Sequence, residues 1–139
     1  MNVETSYIQV QTAGSGDLLD ITSQVQDCLG SSMLSSGIVV IFTPSATSGL
    51  TTLEYEPGCV KDLQRVFDEI VPPERDYHHN ARWGDGNGHS HVRAALLKPS
   101  LTVPVVDGEL TLGTWQSIIL ADFDNRKRNR RLVVQFLGE

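Results

Sequence analysis

Ser100-Leu101-Thr102-Val103-Pro104-Val105-Val106-Asp107-Gly108-Glu109-Leu110-Thr111-Leu112 reads as two short β-strands, 101–106 and 110–112. They are joined by an Asp-Gly pair, a dipeptide that tolerates the left-handed backbone of a tight hairpin. Downstream, 115–121 and 132–137 are again β-rich, so the C-terminal part holds four strands in succession, and strands joined by short turns pair antiparallel. Trp115 is expected to open the third of them and to pack a core. Upstream, Gly37-Ile38-Val39-Val40-Ile41-Phe42 is an unbroken apolar, largely β-branched run and reads as a buried strand. Leu50 to Tyr55 and Val3 to Thr12 read as two more strands, the latter ended by Ala13-Gly14-Ser15-Gly16. Ile21, Val25 and Leu29 recur at helical spacing behind Asp20 or Thr22 as caps, with Gly30 as a stop. Pro57 opens a second helix through Val60, Leu63, Val66, Phe67 and Ile70, which ends before Pro72-Pro73. Residues 72 to 90 read as one irregular loop, and 92–97 as a brief apolar helix or turn. The expected class is α+β, a largely antiparallel sheet with two or three helices, in a single domain spanning 1–139.

Composition sets further bounds. A chain of 139 residues with 40% hydrophobic and 20% charged side chains buries enough surface to fold without a disulfide or a structural metal. No apolar run approaches the roughly 20 residues of a membrane-spanning helix, and the first residues lack the pattern of a secretory signal. Cys28 and Cys59 form no CxxC pair and read as apolar fillers, so a cytoplasmic protein is expected. The net charge is −6, unevenly spread. The first basic residue is Lys61, and five cluster at Arg126, Lys127, Arg128, Arg130 and Arg131. With Glu139 these give the last 14 residues +4, leaving −10 on the first 125. An acidic domain with one cationic patch argues against a nucleic-acid surface and suits a small phosphorylated ligand. Alternatively, the cluster pairs with neighbouring carboxylates.

All four histidines, His78, His79, His89 and His91, fall in the 72–90 region or at its end. On an extended segment His89 and His91 would point to one side and could share an ion, with His79 as third ligand. On a helix they would lie about 200° apart. Imidazole suits zinc, and three ligands with an open position is a catalytic arrangement. The alternative is a hydrogen-bonded surface loop with no specific ion. Glu54 follows a hydroxyl-rich approach and reads as a general base, a hold on a ligand hydroxyl, or an exposed edge residue. Thr43 to Gly49, with Thr47 at its centre, is a candidate anion-binding turn but not a Walker loop, because no Gly-Lys-Ser/Thr follows. Gln116 could read a heterocycle edge or satisfy backbone groups.

Ser100, Val103, Val105, Gly108, Gly113-Thr114-Trp115-Gln116 and Ile118 resemble the signature of the YjbQ-like family. The similarity extends through Leu50 with Glu54, Lys61-Asp62, Tyr77-His78-His79, Ser90-His91 and the closing arginine-rich strand, roughly residues 38 to 139. Thr47 to Pro57 and Trp83-Gly84-Asp85-Gly86-Asn87-Gly88-His89-Ser90-His91 look like its archaeal branch. The resemblance implies an α+β domain that forms a homotrimer and acts as a secondary thiamine-phosphate synthase, joining a pyrimidine pyrophosphate to a thiazole phosphate. It implies roles for His79, His91 and Glu54, with His89 matching the archaeal variant. Under that reading His79, His89 and His91 hold zinc, or magnesium, which polarises the leaving pyrophosphate. Arg126 and Arg130 stabilise its charge, Thr47 and Gln116 contact substrate, and Trp115 stacks the ring. Two departures stand out: Ser45-Ala46 replaces a bacterial His-Thr pair, so no role of that histidine transfers, and Asp124-Asn125-Arg126 keeps an arginine but lacks a glycine. A metal- and anion-binding trimer without this chemistry and a metal-dependent hydrolase are the alternatives the same residues admit.

Overall fold

A computed structural model describes residues 1–139. The elements run β1 (Asn2–Thr12), β2 (Asp17–Asp20), α1 (Thr22–Gly30), β3 (Gly37–Phe42), β4 (Ser48–Leu53), α2 (Pro57–Ile70), α3 (His78–Trp83), α4 (Gly88–Leu97), β5 (Ser100–Val106), β6 (Glu109–Leu110), β7 (Ser117–Asp122) and β8 (Arg128–Gly138). Two sheets form, one ordered β1-β8-β3-β5-β6 and one ordered β2-β7-β4. Every pairing in them is antiparallel, as the succession of strands implies. No helix is long and apolar enough to cross a membrane.

Alternation along the strands builds three layers. The five-stranded sheet turns Ile8, Val10, Val39, Ile41, Val103, Val105, Leu132, Val134 and Phe136 inward, onto Leu50, Ile118 and Leu120 of the smaller sheet and onto Ile21, Val25 and Leu29 around α1. The opposite face of the smaller sheet, Leu18, Ile119 and Ala121, packs with Phe123 against Phe67 of α2 and Ala94 of α4. Strand β7 is therefore covered on both faces. Helix α2 starts where Pro57 was expected to start it, because Glu56 caps it by accepting the N–H groups of Gly58 and Cys59. Ahead of α1 the N-cap position is Ile21, without a side-chain cap; Asp20 Oδ1 instead accepts from the Thr22 N–H at 2.9 Å and from its hydroxyl at 2.6 Å.

Two expectations are corrected, and one strand was not anticipated. Residues 72–90 are not one irregular loop: they contain α3 and the first turn of α4, so there are four helices rather than two or three. The two pieces lock together because Asn80 Oδ1 accepts the Gly88 N–H at 2.8 Å. A side chain on Gly88 would meet Tyr77 Cβ at 2.5 Å, so only glycine permits that approach. Trp115 does not open a strand. Gly113 to Gln116 closes as a turn, with the Gln116 N–H on the Gly113 carbonyl at 3.1 Å and the Gly113 N–H on Gln116 Oε1 at 3.0 Å, and the indole is 74% exposed. Finally, β2 is a strand that the hydrophobic pattern of four residues was too short to announce.

Candidate functional site

The charged centre of the molecule sits where both sheets end. Asp122, fully buried, closes β7; its Oδ2 accepts from Thr12 Oγ1 at 2.6 Å and from Arg130 Nε at 2.7 Å, and its Oδ1 from Arg130 Nη2 at 3.0 Å. Asp124, 1% exposed, accepts from Thr47 Oγ1 at 2.9 Å and from Arg128 Nε at 3.1 Å. Arg130 Nη2 also donates to Thr47 Oγ1 at 2.8 Å. Burial alone would raise the Asp124 carboxyl, but the Thr47 hydroxyl and the Arg128 guanidinium outweigh it and hold the group below its usual range. Thr47 and Arg130 are thus brought together as expected, yet their polar atoms are spent on carboxylates. Of the basic cluster, Arg128 and Arg130 pair with carboxylates, and Arg131 lies 3.8 Å over the Tyr7 ring. Arg126 is exposed, and its side chain makes no hydrogen bond or ion pair.

The turn after Asp124 leads to the histidines. Asn125 Nδ2 donates to the Asp85 carbonyl at 2.8 Å, and the Asn125 N–H to Asn87 Oδ1 at 3.2 Å, which holds the loop between α3 and α4 beside Arg126. Within this corner the His79 and His91 rings face each other, centroids 4.3 Å apart and tilted by 38°. His79 Nδ1 lies 3.3 Å from Asp85 Oδ1, too poorly aligned to count as a hydrogen bond and so without a partner. His91 also lines a hollow of about 280 Å³ with Ser45, Ser48 and Pro99.

His89 is not part of this pair. Because α4 begins at Gly88, His89 and His91 stand two positions apart on a helix, about 200° around its axis. The His89 ring turns inward toward Tyr77, its Nδ1 buried without a hydrogen bond. Burial, followed by the nearby Arg93 charge, lowers its pKa. The expected three-imidazole centre is therefore not formed by one chain, and no three His, Cys, Asp or Glu side chains gather round a point. The pair His79 and His91 offers an ion two ligands at most.

Glu54 and Trp115 belong to a different place. They line a hollow of about 440 Å³ with Thr52, Leu53 and Gln116. The Gln116 amide is engaged there, Nε2 donating to Thr52 Oγ1 at 3.1 Å, whereas the Glu54 carboxylate makes no hydrogen bond or ion pair and is exposed. This hollow and the Thr47 network occupy opposite ends of β4, which pairs Ser48 with Asp122 and Leu53 with Ser117. Five residue steps of strand separate them, about 17 Å. The expectation that Glu54, Arg126 and the histidines share one surface does not hold within a single chain. The Thr43–Gly49 turn likewise uses its hydroxyls on itself, Thr43 Oγ1 lying 2.8 Å from Ser48 Oγ and Ser45 Oγ accepting the Thr47 N–H at 3.1 Å.

Asp85, Asn87, Asp122 and Asp124 escaped the sequence reading. Asp122 and Asp124 alternate along the chain as Arg128 and Arg130 do, and that matched spacing was the available signal. Nothing comparable marks Asp85, whose neighbours Gly84 and Gly86 suggest only a turn.

Known proteins share this architecture. A relative from Methanothermobacter thermautotrophicus, a UPF0047 protein, is 40% identical over all of this chain and 95% of its own. The UPF0047 protein YugU of Bacillus subtilis is 34% identical over 94% of this chain and 97% of its own. The crystal structure of a YbjQ-like protein of unknown function from Sulfolobus solfataricus superposes with a TM-score of 0.94 at 35% identity, covering 99% of both chains. A hypothetical protein from Aeropyrum pernix superposes at 0.91 with 32% identity, over 98% of this chain and 99% of its own. The model of the UPF0047 YjbQ-like proteins matches residues 6–139, so this chain belongs to that family.

Proposed function

We propose that this protein is a transferase of small phosphorylated heterocycles, joining a pyrimidine pyrophosphate to a thiazole phosphate with release of pyrophosphate. One observation carries the reading: two adjacent imidazoles, His79 and His91, lie beside a carboxylate, with the free guanidinium of Arg126 on the bordering turn. When pyrophosphate leaves, its oxygens gain charge. A histidine, whose ordinary pKa is near neutrality, can donate a proton to it, and the free guanidinium of Arg126 can pair with the charge that remains. Asp85 is close enough to orient the His79 ring during that step.

The hollow of Glu54 and Trp115 carries the heterocycle in this reading. An exposed indole offers a face for ring stacking, and Glu54 offers an acceptor for an exocyclic amine. Since about 17 Å of strand separates the two halves within a chain, the complete site is assembled between subunits of a homotrimer. One subunit gives the histidine corner and its neighbour gives the stacking hollow. A divalent ion, zinc or magnesium, has a place as well. His79 and His91 would hold two positions of the ion, tetrahedral in the case of zinc, phosphate oxygens of the substrate would fill the others, and the bound ion would supply Lewis-acid charge to the leaving group.

Incubation of the purified protein with both precursors tests this. Thiamine phosphate and pyrophosphate should appear in equal amounts, and H79A or H91A should lose about 10²–10⁴-fold in rate. Product from the wild type at no more than the rate of H79A or H91A rejects the transferase. Release of inorganic phosphate from simple esters instead would identify a hydrolase that uses the same histidines. Activity that survives a chelator assigns the step to the imidazoles alone. Mixing H91A subunits with E54A subunits should restore activity that neither has alone; no restoration rejects the shared site.

A further inference from the structure

Within the helical layer on the outer face of the smaller sheet, a cavity of about 210 Å³ opens between β2, α2 and α4. One wall is apolar: Leu18, Phe67 and Phe123, the two rings 4.8 Å apart and tilted by 58°. The floor is Arg93, only 3% exposed. Two arms of its guanidinium are engaged, Nε and Nη2 donating to the Val71 carbonyl at 3.0 and 2.8 Å, and Nη2 also to Asp68 Oδ1 at 3.0 Å. A guanidinium has five N–H donors. Both on Nη1 are unmatched by any protein group, and Nη1 lies at the cavity wall beside Gly16, 3.9 Å from where a Cβ on that glycine would stand. Gln64, at the mouth, donates Nε2 to the Gly16 carbonyl at 3.0 Å.

A buried cation with two spare donors beside an apolar wall is the chemistry that selects an organic acid: the carboxylate meets Nη1, and the hydrocarbon body covers the phenyl rings and Leu18. We infer that this cavity is a binding site for a small apolar monocarboxylate, on the scale of benzoate or 4-methylpentanoate. The site is distinct from the transferase site and does not depend on that reading. Because Arg93 sits on α4 two residues after His91, an occupant touches the helix that carries His91, one of the two candidate histidines.

Titration of the whole protein with benzoate and 4-methylpentanoate, and with the corresponding neutral amides, followed by amide chemical shifts and thermal unfolding, tests the assignment. The acids should bind saturably, shift Gly16 and Arg93, and raise the unfolding temperature, with the amides weaker by about tenfold or more. Arg93→Lys removes Nη1 and should weaken the acids by a similar factor. Should that variant not fold, Gln64→Trp, on a half-exposed position at the mouth, blocks entry with Arg93 intact and should abolish binding. Equal binding of acids and amides, undiminished binding in a folded variant of either kind, or no saturable binding at all overturns the site.

Discussion

The Arg130 guanidinium contacts Asp122 and Thr47, and its removal leaves the fully buried Asp122 carboxylate with Thr12 as its remaining side-chain donor. Truncating one partner of a buried pair typically costs about 3–5 kcal/mol. Arg130→Met should therefore lower the unfolding free energy by that order in urea titration, and adding Asp122→Asn should recover part of it. Proton linkage gives a second test. His89 is lowered by burial and then by Arg93, so the unfolded chain binds its proton more readily than the native one. The stability tied to keeping it neutral is complete above about pH 6.5 and declines as pH falls toward the native value. Asp124 runs at lower pH: its native carboxyl is held below the usual range, so its contribution is present above about pH 4 and is lost as pH falls through the depressed value. Denaturant unfolding between pH 7 and 3 should show both declines, and His89→Gln should erase only the upper one. At Trp115, 74% exposed, Ala should change stability by no more than about 0.5 kcal/mol. A loss of turnover in Trp115→Ala would then report on ligand contact, whereas a core position would have cost about 3–5 kcal/mol.

Helix α2 and the segment after it show what makes an element legible. In α2 an apolar stripe, a proline at its first position and a capping glutamate agree, and the helix falls where the pattern places it. Between 72 and 90 aliphatic side chains are nearly absent and glycine, proline, asparagine, aspartate and histidine are frequent, intrinsic helix propensity is weak, and the apolar stripe that would reveal a helix is missing. What holds α3 and α4 is contact between residues apart in sequence: the Asn80–Gly88 bond across the segment, and from outside it the Asn125 contacts to Asp85 and Asn87 and Ser90 Oγ at 2.5 Å from the Phe123 carbonyl oxygen. Tertiary partners of that kind leave no local trace. The consequence for the site is direct, since an extended His89-Ser90-His91 would have turned both imidazoles to one side and the helix sets them about 200° apart. Gly88→Ala tests how tightly that corner is held. A methyl at 2.5 Å from Tyr77 Cβ and 3.0 Å from Asn80 Oδ1 must push α3 away from α4. Overpacking of this sort costs about 1–3 kcal/mol, and displacing α3 parts His79 from His91. The variant should show a lower unfolding temperature and a larger proportional loss of turnover than its loss of stability accounts for.

At the scale of the whole molecule, one strand asks for more than a single chain provides. Gly37 to Phe42 is apolar throughout, the pattern of a strand covered on both faces. Only Val39 and Ile41 are buried; Ile38 and Phe42 remain 38% and 39% exposed. Register extends the uncovered surface sideways, because Ile38 pairs with Leu137 and Pro104, Phe42 with Val133, and Val133 in turn with Tyr7. No helix crosses this face: the helical layer lies beyond the smaller sheet, on the other side of the core. A sheet face this apolar is normally covered by another layer, and the proposed homotrimer would supply that cover with a second copy of the chain. Phe42→Lys together with Ile38→Glu places charge at the centre of the patch without touching the inner core. Sedimentation should find the wild type as a trimer and the double variant as a monomer with unchanged far-ultraviolet circular dichroism. Because the proposed site draws its two halves from neighbouring subunits, the monomer should also lose transferase activity although every residue of His79, His91, Glu54 and Trp115 is retained. A double variant that sediments like the wild type would show that the face is not the interface, and a monomer that keeps full turnover would return the whole reaction to one chain.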